Sequence, residues 1–406
     1  MQTKLPILVT GASGRLGAPL VAHLTSAGWL VRLAGREPAR LRILFPHLPS
    51  FSYAQLPDAL EGCYAVIHLA ARNNNTKATP EEYRAANVDA ALALQQAAAT
   101  AGVNRFLFFS SLRALTAGAD DPYGLSKCEA ERRLAEQEGI ATTILRLPVV
   151  HDGRPAGRLS FLRKLPAAPL INRLLGLVRP QLRGDLLAQA VQTELEAPAS
   201  AESCRTIDLF DRKQEDSLYT GLRRGLDVLI GLAVVIGLGW LMITLWLTIR
   251  LTSPGPGVFT QQRVGRHRAV FACHKFRTMS HGTRSAATHE VTAASVTRLG
   301  RVLRRLKLDE LPQAFNLLKG DMTLVGPRPC LPQQIELIEA RAARGVYGLK
   351  PGVTGLAQVR GVDMSEPLRL AEVEHEYLVR QNLLLDALIV LRTFTRSALQ
   401  DQVARH

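Results

Sequence analysis

The sequence predicts two α/β domains with a membrane-embedded helix between them. Three features predict this arrangement: a strand, glycine-rich turn and helix at the start, an uncharged apolar stretch at residues 228–249, and a basic second half with helical and turn patterns. A chain of 406 residues has room for two domains with sizeable cores. We place the domains at residues 1–215 and 252–406, a linker at 216–225, and the membrane-embedded helix at 226–251.

The first domain opens with residues 5–10, an apolar run typical of a buried parallel strand, and a helical pattern follows at 18–27. Glycines between them permit a tight bend, close approach of a pyrophosphate, and close packing of helix on strand. The helix N-terminus then faces the phosphate. This context predicts a Rossmann doubly wound parallel sheet, with an ordinary βα turn as the alternative. The expected dinucleotide-binding residues here are Gly11, Ser13, Gly14, Arg15 and Gly17, with Ala70 after a later strand.

The end of the second strand indicates which dinucleotide is bound. After residues 29–33 the chain has Gly35 and Arg36, where an NAD site would place an acid for the ribose hydroxyls. A guanidinium suits a 2′-phosphate, and Arg15 is near enough in the turn to help. We therefore expect NADP(H), with NAD still open and a solvated surface charge as the alternative role of either arginine.

Three polar residues predict proton and hydride chemistry in the same domain. Ser111 ends an apolar strand, and Tyr123 and Lys127 lie four apart on one face of a predicted helix. An ammonium group there is expected to lower the pKa of the phenol. Ser111 would hydrogen-bond the substrate oxygen, Tyr123 would transfer the proton, and the nicotinamide would carry the hydride.

These motifs resemble the extended short-chain dehydrogenase/reductase family of nucleotide-sugar epimerases, dehydratases and reductases. The likeness covers residues 4–210, including the strand at 144–148. Two departures stand out: Ser111 and Tyr123 are only twelve residues apart, and the chain is short for a full sugar-binding lobe. The sequence leaves open a working oxidoreductase and an inactive domain that only binds the cofactor.

The apolar stretch at 228–249 has the length of a bilayer-embedded helix and lacks a polar stripe. Basic residues flank both of its ends, at Arg223, Arg224 and Arg250, which marks both ends as cytoplasmic. The formal charge of +15 therefore indicates anionic lipid rather than nucleic acid, for which no recognition motif is present. No signal peptide is predicted, and five scattered cysteines indicate a reducing compartment.

The second domain carries several blocks in a fixed order. They are LDELPQ, LKGDM, LVGPRP and PGVTGLAQV, preceded by a helical stretch that begins at Arg298 and is crowded with arginines. Taken alone, the acidic pair of Asp309 and Glu310 would be a solvated end of a basic helix. The whole series closely resembles the bacterial sugar transferases, which are monotopic phosphoglycosyl transferases with a small α/β domain, and the likeness runs from Arg223 to Thr393.

The resemblance implies a two-step transfer of a sugar-1-phosphate from a UDP-sugar to polyprenyl phosphate. Asp309 would attack the sugar-bearing phosphorus, Glu310 would help to hold Mg²⁺, and Arg304 would contact the phosphates. The product would begin a surface polysaccharide or glycoconjugate. Residues matched to substrate binding are Arg263, Lys275, Arg328 and Asp386.

Because both domains need cytosolic substrates, the apolar helix is expected to enter and leave the cytoplasmic leaflet of the inner membrane. Family members often break this helix with a Ser-Pro pair, whereas this chain has Gly239 and Trp240 there and only Gly237 and Gly239 to permit a bend. We interpret the chain as a fusion in which the first domain modifies a nucleotide-sugar. The alternatives are an inactive cofactor-binding scaffold and a reductase beside an inactive transferase. A homodimer is left open.

Overall fold

The computed structural model describes residues 4–73, 78–198, 202–280 and 296–403. The chain divides into two compact units, Met1–Asp211 (unit 1) and Arg212–His406 (unit 2).

Unit 1 is built on a parallel sheet of seven strands. The strands follow the order β3-β2-β1-β4-β5-β6-β9, and every neighbouring pair is parallel. A separate parallel pair is formed by β7 and β8. The strands are β1 (Pro6–Thr10), β2 (Leu30–Ala34), β3 (Ser50–Phe51), β4 (Ala65–His68), β5 (Arg105–Ser111), β6 (Ala141–Leu147), β7 (Val149–His151), β8 (Gln181–Arg183) and β9 (Cys204–Asp208).

Helices cover both faces of this sheet, which confirms the predicted doubly wound fold. On one face, Leu24 of the first helix and Val191 of the last pack with Val9 of β1, and all three are buried. On the other face, Leu94 and Leu134 pack with neighbouring strand residues. The helices are α1 (Gly17–Ser26), α2 (Pro38–Leu44), α3 (Leu56–Leu60), α4 (Pro80–Arg84), α5 (Ala90–Thr100), α6 (Pro122–Ala135), α7 (Ala168–Val178) and α8 (Gly184–Glu196).

Unit 2 begins with two apolar helices, α9 (Ser217–Gly237) and α10 (Gly239–Thr252). Among the described residues, no single helix is long and apolar enough to cross a membrane; α9 and α10 reach that length only together, and they are bent by 62°. The break lies at Leu238, between the two glycines expected to permit it. Its φ of −109° and ψ of 9° leave the helical region without a proline.

The start of α9 lies within the predicted linker at residues 216–225. Asp216 accepts hydrogen bonds from the backbone N–H groups of Leu218 and Tyr219, so a helix begins at Ser217 and runs on into the apolar segment. An N-cap of this kind satisfies the unpaired donors of the first turn and fixes where a helix starts. Residues 217–225 are therefore the first part of α9.

Apart from the helices α15 and α16, the remaining elements of unit 2 are short. An antiparallel hairpin of β10 and β11 and a parallel pair of β12 and β13 lie among small helices. Arg224 of α9 donates to the carbonyls of Leu317 (2.5 Å) and Leu318 (2.6 Å), which fastens α9 to the end of α12. The elements are β10 (Val258–Val264), β11 (Val270–Phe276), α11 (Arg298–Arg305), α12 (Gln313–Lys319), β12 (Thr323–Val325), α13 (Ile335–Ala343), β13 (Gly352–Thr354), α14 (Leu356–Arg360), α15 (Pro367–Arg380) and α16 (Leu383–Val403).

Candidate active sites

Two glycines in the turn of unit 1, Gly11 and Gly17, have no room for a side chain. A Cβ atom on Gly17 would lie 2.4 Å from the carbonyl oxygen of Gly11, and one on Gly11 would lie 2.5 Å from the nitrogen of Ala70. Gly11 also has a φ of +77°, which favours glycine. Gly11 therefore packs against Ala70, just after β4, and Gly17 at the start of α1 packs against Gly11, the close backbone approach that a dinucleotide cradle requires. Ser13 and Gly14 occupy the bend between them, where the Gly14 N–H donates to the Gly11 carbonyl at 3.0 Å.

The two arginines expected at the cofactor lie at separate places in unit 1. Arg36 is exposed just after β2 and lowers the pKa of Tyr53, a smaller effect than the burial that raises it. Arg15 is partly buried, which lowers its pKa, and the neighbouring charge of Arg163 lowers it further while Asp152 opposes both effects. Arg36 thus remains available at the position where a 2′-phosphate is expected.

Ser111 and Tyr123 come close in the structure, although the loop that connects them is short. Ser111 ends β5 and Tyr123 lies in the first turn of α6, and the Ser111 hydroxyl is near enough to lower the pKa of Tyr123. Asp121 caps α6 by accepting from the Gly124 N–H at 2.9 Å. Burial raises the pKa of Tyr123, whereas the Ser111 hydrogen bond and the charge of Arg113 lower it in part. The phenol is therefore held protonated in this structure.

Lys127 is held by the backbone of β5. Its ammonium group is buried and donates to the Phe109 carbonyl at 2.8 Å, with the ring centroid of Phe108 4.6 Å away. Burial lowers the pKa of Lys127 to about 8, although Glu131 opposes the shift. The side chain follows the backbone of β5, so the largest cationic influence on Tyr123 comes from Arg113 instead.

In unit 2, Asp309 and Glu310 lie on a single turn of 3₁₀-helix, Leu308–Glu310. Lys307 precedes this turn with a φ of 56°, a left-handed conformation that ends the run of α11 and reverses the chain. Left-handed backbone is uncommon for a residue with a side chain and is enriched at functional sites. The left-handed conformation of Lys307 places the two consecutive carboxylates, Asp309 and Glu310, on one turn just before α12.

Glu310 is ion-paired on one oxygen with two cations. Its Oε1 accepts from Lys275 Nζ at 2.7 Å and from an Arg328 guanidinium nitrogen at 3.2 Å. Burial raises the pKa of Glu310, but the charges and hydrogen bonds of Arg328 and Lys275 outweigh it and lower the pKa to about 2. Glu310 is therefore ionised at neutral pH.

Asp309 has the opposite environment. Burial raises its pKa, the adjacent charge of Glu310 raises it further, and Lys275 and Arg304 oppose the shift. Within the described part of the chain, Glu310 takes both ion pairs of the site and Asp309 takes none. Neighbouring carboxylates with pKa values shifted apart are typical of catalytic sites.

Two more of the predicted residues belong to this site. Arg304 donates from Nε to the Thr278 hydroxyl at 2.9 Å, which directs it along β11, and its charge lowers the pKa of Asp309 in part. Arg263 is held by the Pro329 carbonyl (3.0 Å) and feels the charges of Arg328 and Glu310. The structure thus brings together five of the predicted cations and acids with Asp309: Arg263, Lys275, Arg304, Glu310 and Arg328.

Asp386, which is predicted to bind substrate, is enclosed by contacts within unit 2. Its buried carboxylate accepts hydrogen bonds from Tyr219 (3.0 Å) and Tyr377 (2.6 Å) and lies 3.2 Å from Arg223 Nε. These contacts use its oxygens within the protein and tie α16 to α9 and α15. Asp386 thus fastens the first part of α9, and its part in substrate binding stays a prediction.

Sequence reasoning missed two positioning residues, Thr278 and Arg341. The Thr278 hydroxyl accepts a hydrogen bond from Arg304. Thr278 lies three residues after Lys275 in the sequence, and this position was the signal that could have identified it. Arg341 is buried, pairs with Glu374 through two 2.6 Å hydrogen bonds, and donates to the Arg328 carbonyl at 2.9 Å. Nothing local distinguishes it from a surface arginine, because its partner lies on another helix.

An apolar cavity of about 560 Å³ opens beside the acidic turn. Its walls come from α9, α10, the hairpin and the residues that follow Glu310. An elongated apolar ligand with a polar head is the kind of molecule that such a pocket fits. The lining residues are Val235, Gly239, Met242, Ile243, Trp246, Val258, His274, Phe276, Pro312 and Phe315.

The donor set at Glu310 fits a magnesium ion only together with substrate phosphates. Among the described residues, no three His, Cys, Asp or Glu side chains converge as a metal site. Mg²⁺ commonly takes one or two carboxylates and completes its shell with phosphates and water. The second oxygen of Glu310 meets that smaller requirement, since Lys275 and Arg328 both contact the first.

Comparison with known proteins assigns a class to each part of the chain. Residues 218–400 match the model of the bacterial sugar transferase family, and residues 7–154 match that of the NAD dependent epimerase/dehydratase family. A UDP-N-acetylgalactosamine-undecaprenyl-phosphate N-acetylgalactosaminephosphotransferase of Aeromonas hydrophila is 37% identical over 186 residues, 43% of this chain and 43% of that protein. The exopolysaccharide production protein ExoY of Sinorhizobium fredii is 35% identical over 189 residues, 42% of this chain and 83% of that protein.

The chain belongs to the bacterial sugar transferase family. It spans less than half of the Aeromonas protein. Among solved structures, MoeE5 in complex with UDP-glucuronic acid and NAD aligns with 51% of this chain and 77% of its own, at 23% identity and a TM-score of 0.40.

Proposed function

We propose that unit 2 transfers a sugar-1-phosphate from a UDP-sugar to a polyprenyl phosphate through a covalent intermediate on Asp309. The observation that carries this proposal is the half-buried Asp309, unpaired within the described part of the chain, beside an ion-paired Glu310 and among Lys275, Arg304 and Arg328. The names of the Aeromonas relative and of others in the family supply the substrate class.

In the first step, an Asp309 carboxylate oxygen forms a bond to the sugar-bearing phosphorus, and the bond from that phosphorus to the bridging oxygen breaks. UMP leaves with the electron pair, and the phosphosugar remains on Asp309. Arg304 and Lys275 are placed to stabilise charge on the transferring group. In the second step, an oxygen of polyprenyl phosphate forms a bond to the same phosphorus, and the Asp309 carboxylate is released.

The apolar cavity is the proposed site for the first isoprene units of the acceptor. Trp246 and Phe276 line its wall, and Pro312 and Phe315 lie just beyond the acidic turn. An acceptor phosphate at the open end would then reach Asp309 while its prenyl chain leaves along α10. Mg²⁺, when bound with the donor, would neutralise the diphosphate, with Glu310 as the protein ligand.

The helix pair α9–α10 is the proposed membrane anchor, entering and leaving the cytoplasmic leaflet. Its 62° bend and its exposed apolar side chains, such as Trp240 and Ile243, support this topology. Such a topology keeps both units on the cytoplasmic face of the inner membrane, where their substrates are.

A panel of UDP-sugars tests the transferase proposal. Purified protein with polyprenyl phosphate and Mg²⁺ is expected to release UMP from at least one of them, and Asp309→Asn is expected to lose that release. Glu339→Gln, which removes a carboxylate charge at an exposed position, is the control. Unchanged UMP release in Asp309→Asn would contradict the proposal.

For unit 1 we propose an NADP(H)-dependent reductase, epimerase or dehydratase of a nucleotide-sugar, with Ser111 and Tyr123 at the reacting carbon. The protonated Tyr123 phenol is suited to giving a proton to a carbonyl oxygen. The bound nicotinamide would supply the hydride. Arg36 favours NADP(H) over NAD, because a guanidinium pairs with a 2′-phosphate.

The second candidate for unit 1 is a cofactor-binding scaffold without activity. The withdrawn Lys127, bonded to the Phe109 carbonyl, favours it. Absorbance of NADPH in the presence of UDP-4-keto-sugars, together with glycan output from cells that carry Tyr123→Phe, distinguishes the two. Oxidation of NADPH that Tyr123→Phe abolishes supports the reductase, and no absorbance change with unaltered glycan output supports the scaffold.

A further inference from the structure

Residues 153–184 of unit 1 form a basic lobe, which here means this stretch with its helix α7. Across it the chain carries seven arginines and lysines and no aspartate or glutamate, although Asp152 and Asp185 lie directly at its two ends. Neither of the two proposed reactions uses these charges. The basic residues are Arg154, Arg158, Lys164, Arg163, Arg173, Arg179 and Arg183.

Part of this charge is left without an acidic partner. Arg163 is paired with Asp152 at 2.6 Å and Arg183 with Asp185 at 2.5 Å. Lys164 and Arg173 are exposed and take part in no ion pair with any residue that the structure describes. Unpaired surface cations of one sign attract an anionic partner from solution or from a membrane surface.

The same lobe exposes large apolar side chains. Leu170, Leu174 and Val178 are spaced by four and therefore share one face of α7, where they are 45–58% exposed. Phe161 and Leu165, just before the helix, are 70% and 47% exposed. The opposite face of α7 is buried in unit 1 through Ala168, Asn172, Gly176 and Leu177.

We propose that the basic lobe is a second membrane contact, in which α7 lies in the headgroup region of a bilayer that contains anionic lipid. Eleven residues are too few to cross a bilayer, but a helix with an apolar face and basic residues suits its interface. Arg173 lies between Leu170 and Leu174 in sequence, and an arginine can extend its charged head to the phosphates while its stem stays among apolar chains.

Charge decides between lipid and a second copy of this lobe. The lobe contains no acid that a second copy of its own basic surface could pair with, so self-association through this face would bring like charges together. Anionic phospholipid supplies the opposite charge at high density, at roughly 1 kcal/mol for each basic residue near the surface. The inference rests on the proposed membrane placement of α9–α10, which brings unit 1 near a bilayer.

The test uses the full chain with an environment-sensitive fluorophore on a single introduced cysteine. Cys128→Ser and Cys204→Ser remove the two cysteines that are not buried. A fluorophore at Leu174→Cys reports on the lobe, and one at Leu247→Cys reports on α10. Thr193→Cys, at an exposed position of α8, is the matched control. The protein is placed in vesicles of phosphatidylethanolamine with phosphatidylglycerol that contain a lipid-borne quencher.

Quenching is expected at 174 and 247 and not at 193. Charge reversal by Lys164→Glu with Arg173→Glu should lower quenching at 174 about twofold or more and leave 247 unchanged. Arg40→Glu, an exposed charge reversal on α2, should change neither. Phosphatidylcholine vesicles or high salt should weaken the signal at 174 only.

Three outcomes would contradict the lobe proposal or the membrane placement of α9–α10. Quenching at 247 with none at 174 overturns the lobe proposal alone. No quenching at 247 overturns the membrane placement of α9–α10, and the lobe proposal fails with it. A blue shift at 174 that appears without lipid and grows with protein concentration assigns the face to a second copy of the chain, and this also overturns the lipid contact.

Discussion

The acidic turn of unit 2 and the Ser–Tyr–Lys group of unit 1 differ in where their cations lie. In unit 2, Lys275 and Arg328 already contact Glu310, and its pKa falls to about 2. In unit 1, the ammonium of Lys127 is withdrawn to the Phe109 carbonyl, and the pKa of Tyr123 stays raised. One site is charged before any ligand arrives, whereas the other stays neutral at its reacting hydroxyl.

This difference indicates what each site needs in order to act. Preplaced cations stabilise a transferring phosphoryl group without reorganisation at the moment of reaction, which suits unit 2. A protonated phenol can donate a proton. Its pKa in unit 1 would also depend on the charge and shape of the cofactor that binds beside it. We therefore expect unit 2 to be sensitive to single charge changes and unit 1 to be sensitive to the shape of its cofactor cradle.

The largest expected effect separates the two sites by their reacting residues. Asp309→Asn should lower UMP release about a thousandfold or more, because the carboxylate nucleophile is lost. NADPH binding by the same variant, followed by fluorescence, should be unchanged. Tyr123→Phe should leave UMP release intact, and a loss of transfer in that variant would mean that the two units do not act independently.

The cofactor cradle is tested by a pair of glycine substitutions. Gly17→Ala places a methyl group 2.4 Å from the Gly11 carbonyl oxygen and should weaken NADPH binding about tenfold or more. Gly118→Ala, which meets open space in the same unit, should bind as the unaltered chain does. Equal affinities for the two variants would show that the turn does not hold the dinucleotide.

The pH dependence of transfer tests the environment of Asp309. Its pKa is raised, so the carboxylate is lost and the rate falls as pH drops through that value, while Glu310 stays ionised. Lys275→Gln removes a charge that lowers the pKa of Asp309, so the acidic limb of the residual activity should move to higher pH. Glu310→Gln removes a charge that raises it, and the limb should move to lower pH. Shifts in the opposite directions would contradict this account of the site.

The smallest expected effect concerns the choice of cofactor. Arg36→Ala should lower the preference for NADPH over NADH about tenfold, the value of one charge-assisted hydrogen bond. Arg40→Ala, at an exposed position of α2, is the matched control and should leave the preference for NADPH unchanged. If both variants keep the original preference, Arg36 is a solvated surface charge.

Local patterns in the sequence were enough to predict the elements that surround both sites. The strand, glycine turn and helix of unit 1 follow one another directly, and β1 and α1 lie within one residue of their expected bounds. The bend at Leu238 was also predictable, because Gly237 and Gly239 flank this residue and glycine destabilises a helix.

Long-range partners explain what the sequence could not predict. Asp386 matches a family position, but its role depends on Tyr219, which lies 167 residues earlier in the chain. The direction of Lys127 depends on a backbone carbonyl of β5, and the support of Arg328 by Arg341 depends on a contact between a helix and a loop. None of these pairings has a fixed spacing in the sequence.

The most direct test of the central proposal is the mass of the protein after incubation with UDP-sugar and Mg²⁺ and without polyprenyl phosphate. We expect a phosphosugar adduct on the peptide that contains Asp309, its disappearance when polyprenyl phosphate is added, and its absence in Asp309→Asn. An adduct on another residue, or UMP release that needs the acceptor and leaves no adduct, would contradict a covalent intermediate on Asp309.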